Sequence, residues 1–60
     1  MTLYRNGSLL RDNLGDLWMI MGRGPGPQCA RYVLVRLADS FTSGAAYRIV
    51  HRQMELVSEA

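Results

Sequence analysis

The stretch Gly22-Arg23-Gly24-Pro25-Gly26-Pro27 sets the strictest limit on what this 60-residue chain can build. Alternating glycine and proline sustains neither a helix nor a central strand, because proline lacks the N–H that either ladder needs. The chain therefore divides into two short halves joined by a loop. The loop is a poor phosphate cradle, since its prolines remove donors. It also lacks the closing lysine and Ser/Thr of a P-loop and the spacing of a dinucleotide fingerprint. Arg23, at its start, stands where it can reach a ligand or a partner.

The second half is dominated by Arg31 to Arg52, which holds four of the seven arginines. It reads as two strands joined by a polar turn. Tyr32-Val33-Leu34-Val35-Arg36-Leu37 is β-branched and aromatic and too short for a typical helix. Alternation puts Val33, Val35 and Leu37 on one side and Tyr32, Leu34 and Arg36 on the other. Ala46 to Arg52 alternates as well, with Tyr47, Ile49 and His51 opposite Arg48, Val50 and Arg52. Three arginines cannot all be buried without partners. Val33, Val35, Leu37, Tyr47 and Ile49 are thus the expected core, and Arg36, Arg48 and Arg52 are expected outside beside Tyr32, Leu34 and Val50. Between the strands, Asp39-Ser40-Phe41-Thr42-Ser43-Gly44 is turn chemistry. Phe41 at its tip either folds over the core edge or is a contact residue. Arg52-Gln53 is a tight turn and Met54-Glu55-Leu56-Val57 a last short strand. A helix over residues 46–57, with Ala46, Val50, Met54 and Val57 on one face, competes with this reading.

In the first half, Met1 to Arg5 pairs as an edge strand or frays. Asn6-Gly7 is a turn, Ser8 to Asp12 a short strand, and Asp12 to Asp16 a second turn. Leu17-Trp18-Met19-Ile20-Met21 is a continuous apolar run, the pattern of a central strand buried on both sides. The competing reading is a helix over residues 8–21, with Leu10, Leu14, Leu17, Trp18 and Met21 as its stripe, Ser8 as N-cap and Gly22 as C-cap. Asp12, Asn13 and Gly15 are poor mid-helix residues, which favours strands.

A chain this short forms a single domain, residues 1–60, and buries only about 60% of its unfolded surface. One cysteine, Cys29, provides no internal disulfide, so oligomerisation is the remaining common source of extra stability. The composition, 48% hydrophobic and 20% charged, is that of a globular protein. No signal peptide or membrane-length apolar run is visible, and a lone cysteine fits a reducing compartment, so the expected location is cytoplasmic. The net charge is +2, and every basic residue is arginine, whose planar fork suits phosphate, carboxylate and stacking contacts.

The order of strand, Gly-bearing turn, Trp-led strand, long loop, strand, turn, strand, tight turn and short strand resembles the SH3-like small β-barrel. The residues that carry it are Gly7-Ser8-Leu9-Leu10-Arg11, Gly15-Asp16-Leu17-Trp18, Tyr32-Val33-Leu34-Val35, and Tyr47-Arg48-Ile49-Val50 followed by Met54-Glu55-Leu56-Val57. The resemblance implies a mostly β fold of five strands, and no particular function. Within that class the plasmid-borne type II dihydrofolate reductases carry a Val-Gln-Ile-Tyr motif. The stretch here is Tyr47-Arg48-Ile49-Val50, without the ligand-binding glutamine and tyrosine, so that activity is not carried over.

Catalytic chemistry is sparse. His51 is the only histidine and has no ligand set around it, so neither a metal nor another cofactor is expected. Asp12 and Asp16 flank a turn, where paired aspartates are usually solvated turn formers. Cys29 has no base or resolving cysteine in view. The expected function is a non-enzymatic binding module that self-assembles or binds a larger protein through an arginine-rich, partly apolar sheet face. The residues are Arg23, Arg31, Tyr32, Leu34, Arg36, Phe41, Arg48, Val50 and Arg52. Nucleic acid is the alternative partner, with the same arginines on phosphates and Tyr32 or Phe41 stacking on bases.

Overall fold

A computed structural model describes residues 2–24 and 30–60. The elements are β1 (Leu9–Arg11), β2 (Leu17–Arg23), β3 (Arg31–Arg36), β4 (Thr42–Ala46), the helix α1 (Tyr47–Gln53) and β5 (Glu55–Ser58). All strands belong to one antiparallel sheet in the order β4-β3-β2-β1-β5. The fold is mostly β with five strands, as the sequence predicts, but the sheet does not close, and β4 and β5 are its edges. Cys29 and the Pro25–Pro27 part of the loop lie outside the described residues.

Residues 8–21 form strands, and local chemistry explains why. The Asp12 carboxylate accepts hydrogen bonds from Leu14 N and Asp16 N, both 2.9 Å, folding the chain back instead of letting it wind. Gly15, at φ 90°, supplies the left-handed residue this turn requires. Leu9 then pairs with Met19 and Arg11 with Leu17. At the next hairpin the ladder shifts between Ile20 and Gly22, leaving Met21 as a bulge, and Gly22 pairs with Val33. Asp39 closes the β3–β4 turn by accepting from Phe41 N at 3.1 Å.

Two expectations for the second half fail. The strand foreseen over Ala46–Arg52 is instead the end of β4 followed by α1. The turn is shorter than Asp39–Gly44, so Thr42 to Ala46 pair with β3. Tyr47 to Gln53 contain no glycine or proline, and winding them brings Val50 wholly into the core. The helix does not run on to Val57. Met54 is already extended, and its N–H bonds Val50 O at 2.9 Å. Arg52-Gln53 is the last turn of α1, and β5 then returns beside β1 as the foreseen final strand.

The inner and outer faces of β3 are also reversed. The buried side chains are Leu10, Ile20, Tyr32, Leu34 and Val50, joined by Leu3, Tyr4, Trp18, Ala45, Tyr47 and Met54. Of the foreseen core, Tyr47 alone packs against this cluster; Val33 and Val35 are half-buried on the opposite face, and Leu37 and Ile49 are exposed. The argument from three arginines fails because Arg48 and Arg52 are helical. Arg36, at the strand end, carries its charge out of the core to Asp39, with bonds of 3.0 and 2.8 Å. Tyr32 is buried at no polar cost. Its hydroxyl accepts from Tyr4 N at 2.8 Å and pairs with His51 Nε2 at 2.7 Å.

Candidate interaction surface

Sheet register defines the outer face. Ile20 and Leu34 point into the core, so their neighbours Met19, Val33 and Val35 point away. Leu9 pairs with Met19, and Leu17 lies two residues before it, so both share that side. Leu9, Leu17, Met19, Val33 and Val35 are all half-buried there, with exposed Met21 and Leu37 at the borders. An antiparallel sheet with one solvated face normally alternates apolar with polar residues. Here both faces of β2 and β3 are apolar, and among the described residues α1 and the N-terminal arm cover only one. Val33 stands between Gly22, which faces open space and leaves a shallow trough, and Gly44, whose face is lined by the Arg31 side chain.

The meander also sorts charge along the strands. Register places Asp12, Asp16, Asp39 and Glu55 at one end, four of the five carboxylate side chains, together with Arg11 and Arg36. These two arginines are spoken for. Arg11 meets Glu55 at 3.1 Å, and Arg36 meets Asp39 at 2.8 Å and Asp16 at 4.0 Å. The Arg36 guanidinium lies 5.4 Å from the Trp18 ring centre and 5.1 Å from that of Phe41. Its charge holds Asp39 down to about 2, chiefly through their hydrogen bond. The Trp18 indole N–H, 2.8 Å from Asp12 Oδ2, is the main cause that lowers Asp12.

The opposite end gathers Arg23, whose strand position faces Tyr32, and Arg31, which faces Ala46. Arg48 follows at the start of α1, where Tyr47 N bonds Ala30 O. Arg5 arrives on the N-terminal arm, whose Tyr4 carbonyl lies 3.5 Å from Arg23 Nη2. Among the described residues, none of these four has a carboxylate within ion-pair distance. Arg31 and Arg36 are about 17 Å apart along β3. The nine residues foreseen as one surface thus separate. Tyr32, Leu34 and Val50 belong to the core and cannot be contact residues. Arg36 and Phe41 form a salt-bridged, aromatic corner at the acidic end. Arg23, Arg31 and Arg48 cluster at the basic end, and Arg52, exposed, lies one helical turn beyond Arg48. The apolar outer face was missed, although the uninterrupted run Leu17–Met21 was its signal.

Two other features have limited chemical capacity. His51 stacks on Tyr4, ring centres 4.1 Å apart, and takes the Tyr32 hydroxyl on Nε2. Burial lowers its pKa and raises that of Tyr32. A pocket of about 170 Å³ lies between α1 and the sheet, lined by Trp18, Leu34, Ala45, Ile49 and Met54, with Asp12 and Gln53 at its polar rim. It holds one apolar side chain and falls short of the roughly 300 Å³ that small-molecule sites begin at. No group of three metal-ligating side chains occurs among the described residues. Among the described residues no helix is long and apolar enough to cross a membrane. The chain matches no family model, and no curated protein or solved structure is significantly similar to it.

Proposed function

We propose that the chain is a non-enzymatic protein-interaction module of the SH3-like small-barrel kind, and that its contact surface is the outer face of the sheet. A four-strand meander, a short helix and a fifth strand returning to β1 support the fold reading. One observation carries the functional reading: a central strand patterned for burial on both faces has only one of them covered. Its half-buried apolar side chains, bordered by exposed Met21 and Leu37, form a contiguous apolar face of the kind that marks a contact surface. Among the described residues, no buried side-chain nitrogen or oxygen lacks a hydrogen-bond partner.

The test combines an apolar fluorescent dye with solution mass at low and high salt, on the wild type and Val35→Lys. Either dye binding or salt-resistant association, lost in Val35→Lys with the near-ultraviolet signal of Trp18 retained, supports the reading. A monomer that binds no dye overturns it.

The basic end supports a second reading, contact with nucleic-acid phosphates. Arg5, Arg23, Arg31 and Arg48 stand there with no carboxylate in ion-pair contact among the described residues. Four phosphate contacts would give a slope of roughly −3 in log affinity against log salt on a single strand. Arg31→Ala with Arg48→Ala should flatten that slope by about half. Affinity that ignores salt, or no binding at low salt, removes this reading.

A further inference from the structure

Resting on the interaction reading above, we infer that the occupant of the outer sheet face is a second copy of this chain, packed with its strands reversed end for end. Two observations converge on this arrangement.

The first is charge. The acidic end carries Asp12, Asp16, Asp39 and Glu55 against two arginines, and the basic end carries Arg5, Arg23, Arg31 and Arg48 against Glu59, which follows Ser58 past its pairing with Leu9. Two sheets packed face to face keep their strands aligned to within about 30°. A two-fold axis running along the strands would set like ends together. An axis lying in the interface across the strands reverses one copy, so that Arg31 approaches the β3–β4 turn of its partner, where Ala38 and Asp39 sit. Like-charge juxtaposition disfavours the first and attraction favours the second. The apolar residues supply the adhesion, and the charges choose the orientation.

The second is area. A molecule of 30 × 21 × 20 Å offers sides of roughly 400 to 600 Å², so a face-to-face pair buries roughly 800 to 1,200 Å² in total. That reaches the lower bound of specific interfaces and fits a dimer with a micromolar dissociation constant. A chain whose own core contains five fully or almost fully buried apolar side chains gains most from this extra burial.

The experiment is sedimentation of the full chain across concentrations, with the wild type, Val35→Arg, Arg31→Glu, Ala38→Arg and an equimolar mixture of the last two. The expected wild type is a dimer that persists in high salt, and Val35→Arg is a folded monomer by circular dichroism. Arg31→Glu alone faces the partner's Asp39, and Ala38→Arg alone faces the partner's Arg31, so each raises the dissociation constant by roughly 10-fold. Their mixture restores dimerisation, because each repelling pair becomes an attracting one. Should Val35→Arg also perturb folding, Gly22→Val, which fills a trough where there is open space, gives the same readout. A wild type that stays monomeric while its outer face binds the apolar dye overturns the second copy and leaves the interaction module intact. A dimer that the mixture fails to restore overturns the end-reversed orientation.

Discussion

Tyr32→Phe isolates a polar link in the core of the fold. The substitution keeps the buried ring and its packing on Tyr47, 4.6 Å away between centres, and removes only the hydroxyl. That oxygen accepts Tyr4 N at 2.8 Å and is hydrogen-bonded to His51 Nε2 at 2.7 Å. Each bond is worth about 1 kcal/mol net, and a donor left without a partner away from water costs about 1–3 kcal/mol. His51 is half-exposed and can turn to water, whereas the Tyr4 N–H cannot leave without undocking the N-terminal arm. The expected loss is therefore about 2–3 kcal/mol, against a total of roughly 3–9 kcal/mol for a domain this small. In a chain of this length that lowers the melting temperature by about 10–20 °C. Urea unfolding followed by Trp18 fluorescence measures the loss, and hydrogen exchange at the Tyr4 amide locates it. A loss below about 0.5 kcal/mol with unchanged Tyr4 protection would refute the bridging role of the hydroxyl.

The remaining predictions concern pH and the two acid-built turns. Burial lowers the His51 pKa, so the unfolded chain binds the proton more readily. Stability from this group is complete above about 6.5 and declines as pH falls toward the folded value; His51→Gln should remove that part of the slope in a pH series of urea midpoints. Asp39, held down to about 2, contributes stability that is present above its ordinary value of 3.8 and is lost as pH falls through about 2. Asp39→Asn should abolish that acid transition and free Arg36, visible as increased Trp18 emission mobility. Asp12→Asn puts an amide where a carboxylate faces the Trp18 indole N–H, 2.8 Å away, and should shift Trp18 emission to the red and lower the urea midpoint; an unchanged spectrum would count against the bond. Gly15→Ala meets no neighbour but forces φ 90° on a side chain, so its cost, about 1 kcal/mol, should be pure backbone strain.

The candidate site was legible only in fragments. Each arginine of the basic end is visible in the sequence, yet Arg5, Arg23, Arg31 and Arg48 come from four different segments. Only an antiparallel meander returns those segments to one end, and the same meander returns Asp12, Asp16, Asp39 and Glu55 to the other. Side-chain alternation correctly divided β3 into two sets but could not say which set is inside. Both contain apolar residues, and the deciding fact is a long-range one: the Tyr32 hydroxyl meets Tyr4 and His51, 28 and 19 residues away.

What the sequence determined by itself was where the chain turns and which stretches extend. Asp12 bonding its own turn and Gly15 at positive φ are local effects, complete within five residues, and they exclude a helix over residues 8–21. Tyr47 to Gln53 lack any such local signal. Their pattern suits a strand on alternation and a helix on the spacing of Ala46, Val50 and Met54, and intrinsic preferences separate the two by less than burial does. Tertiary structure decided it, because only the helix drops Val50 into the gap beside Tyr32, Leu34, Leu10 and Ile20 while bringing β5 back to β1.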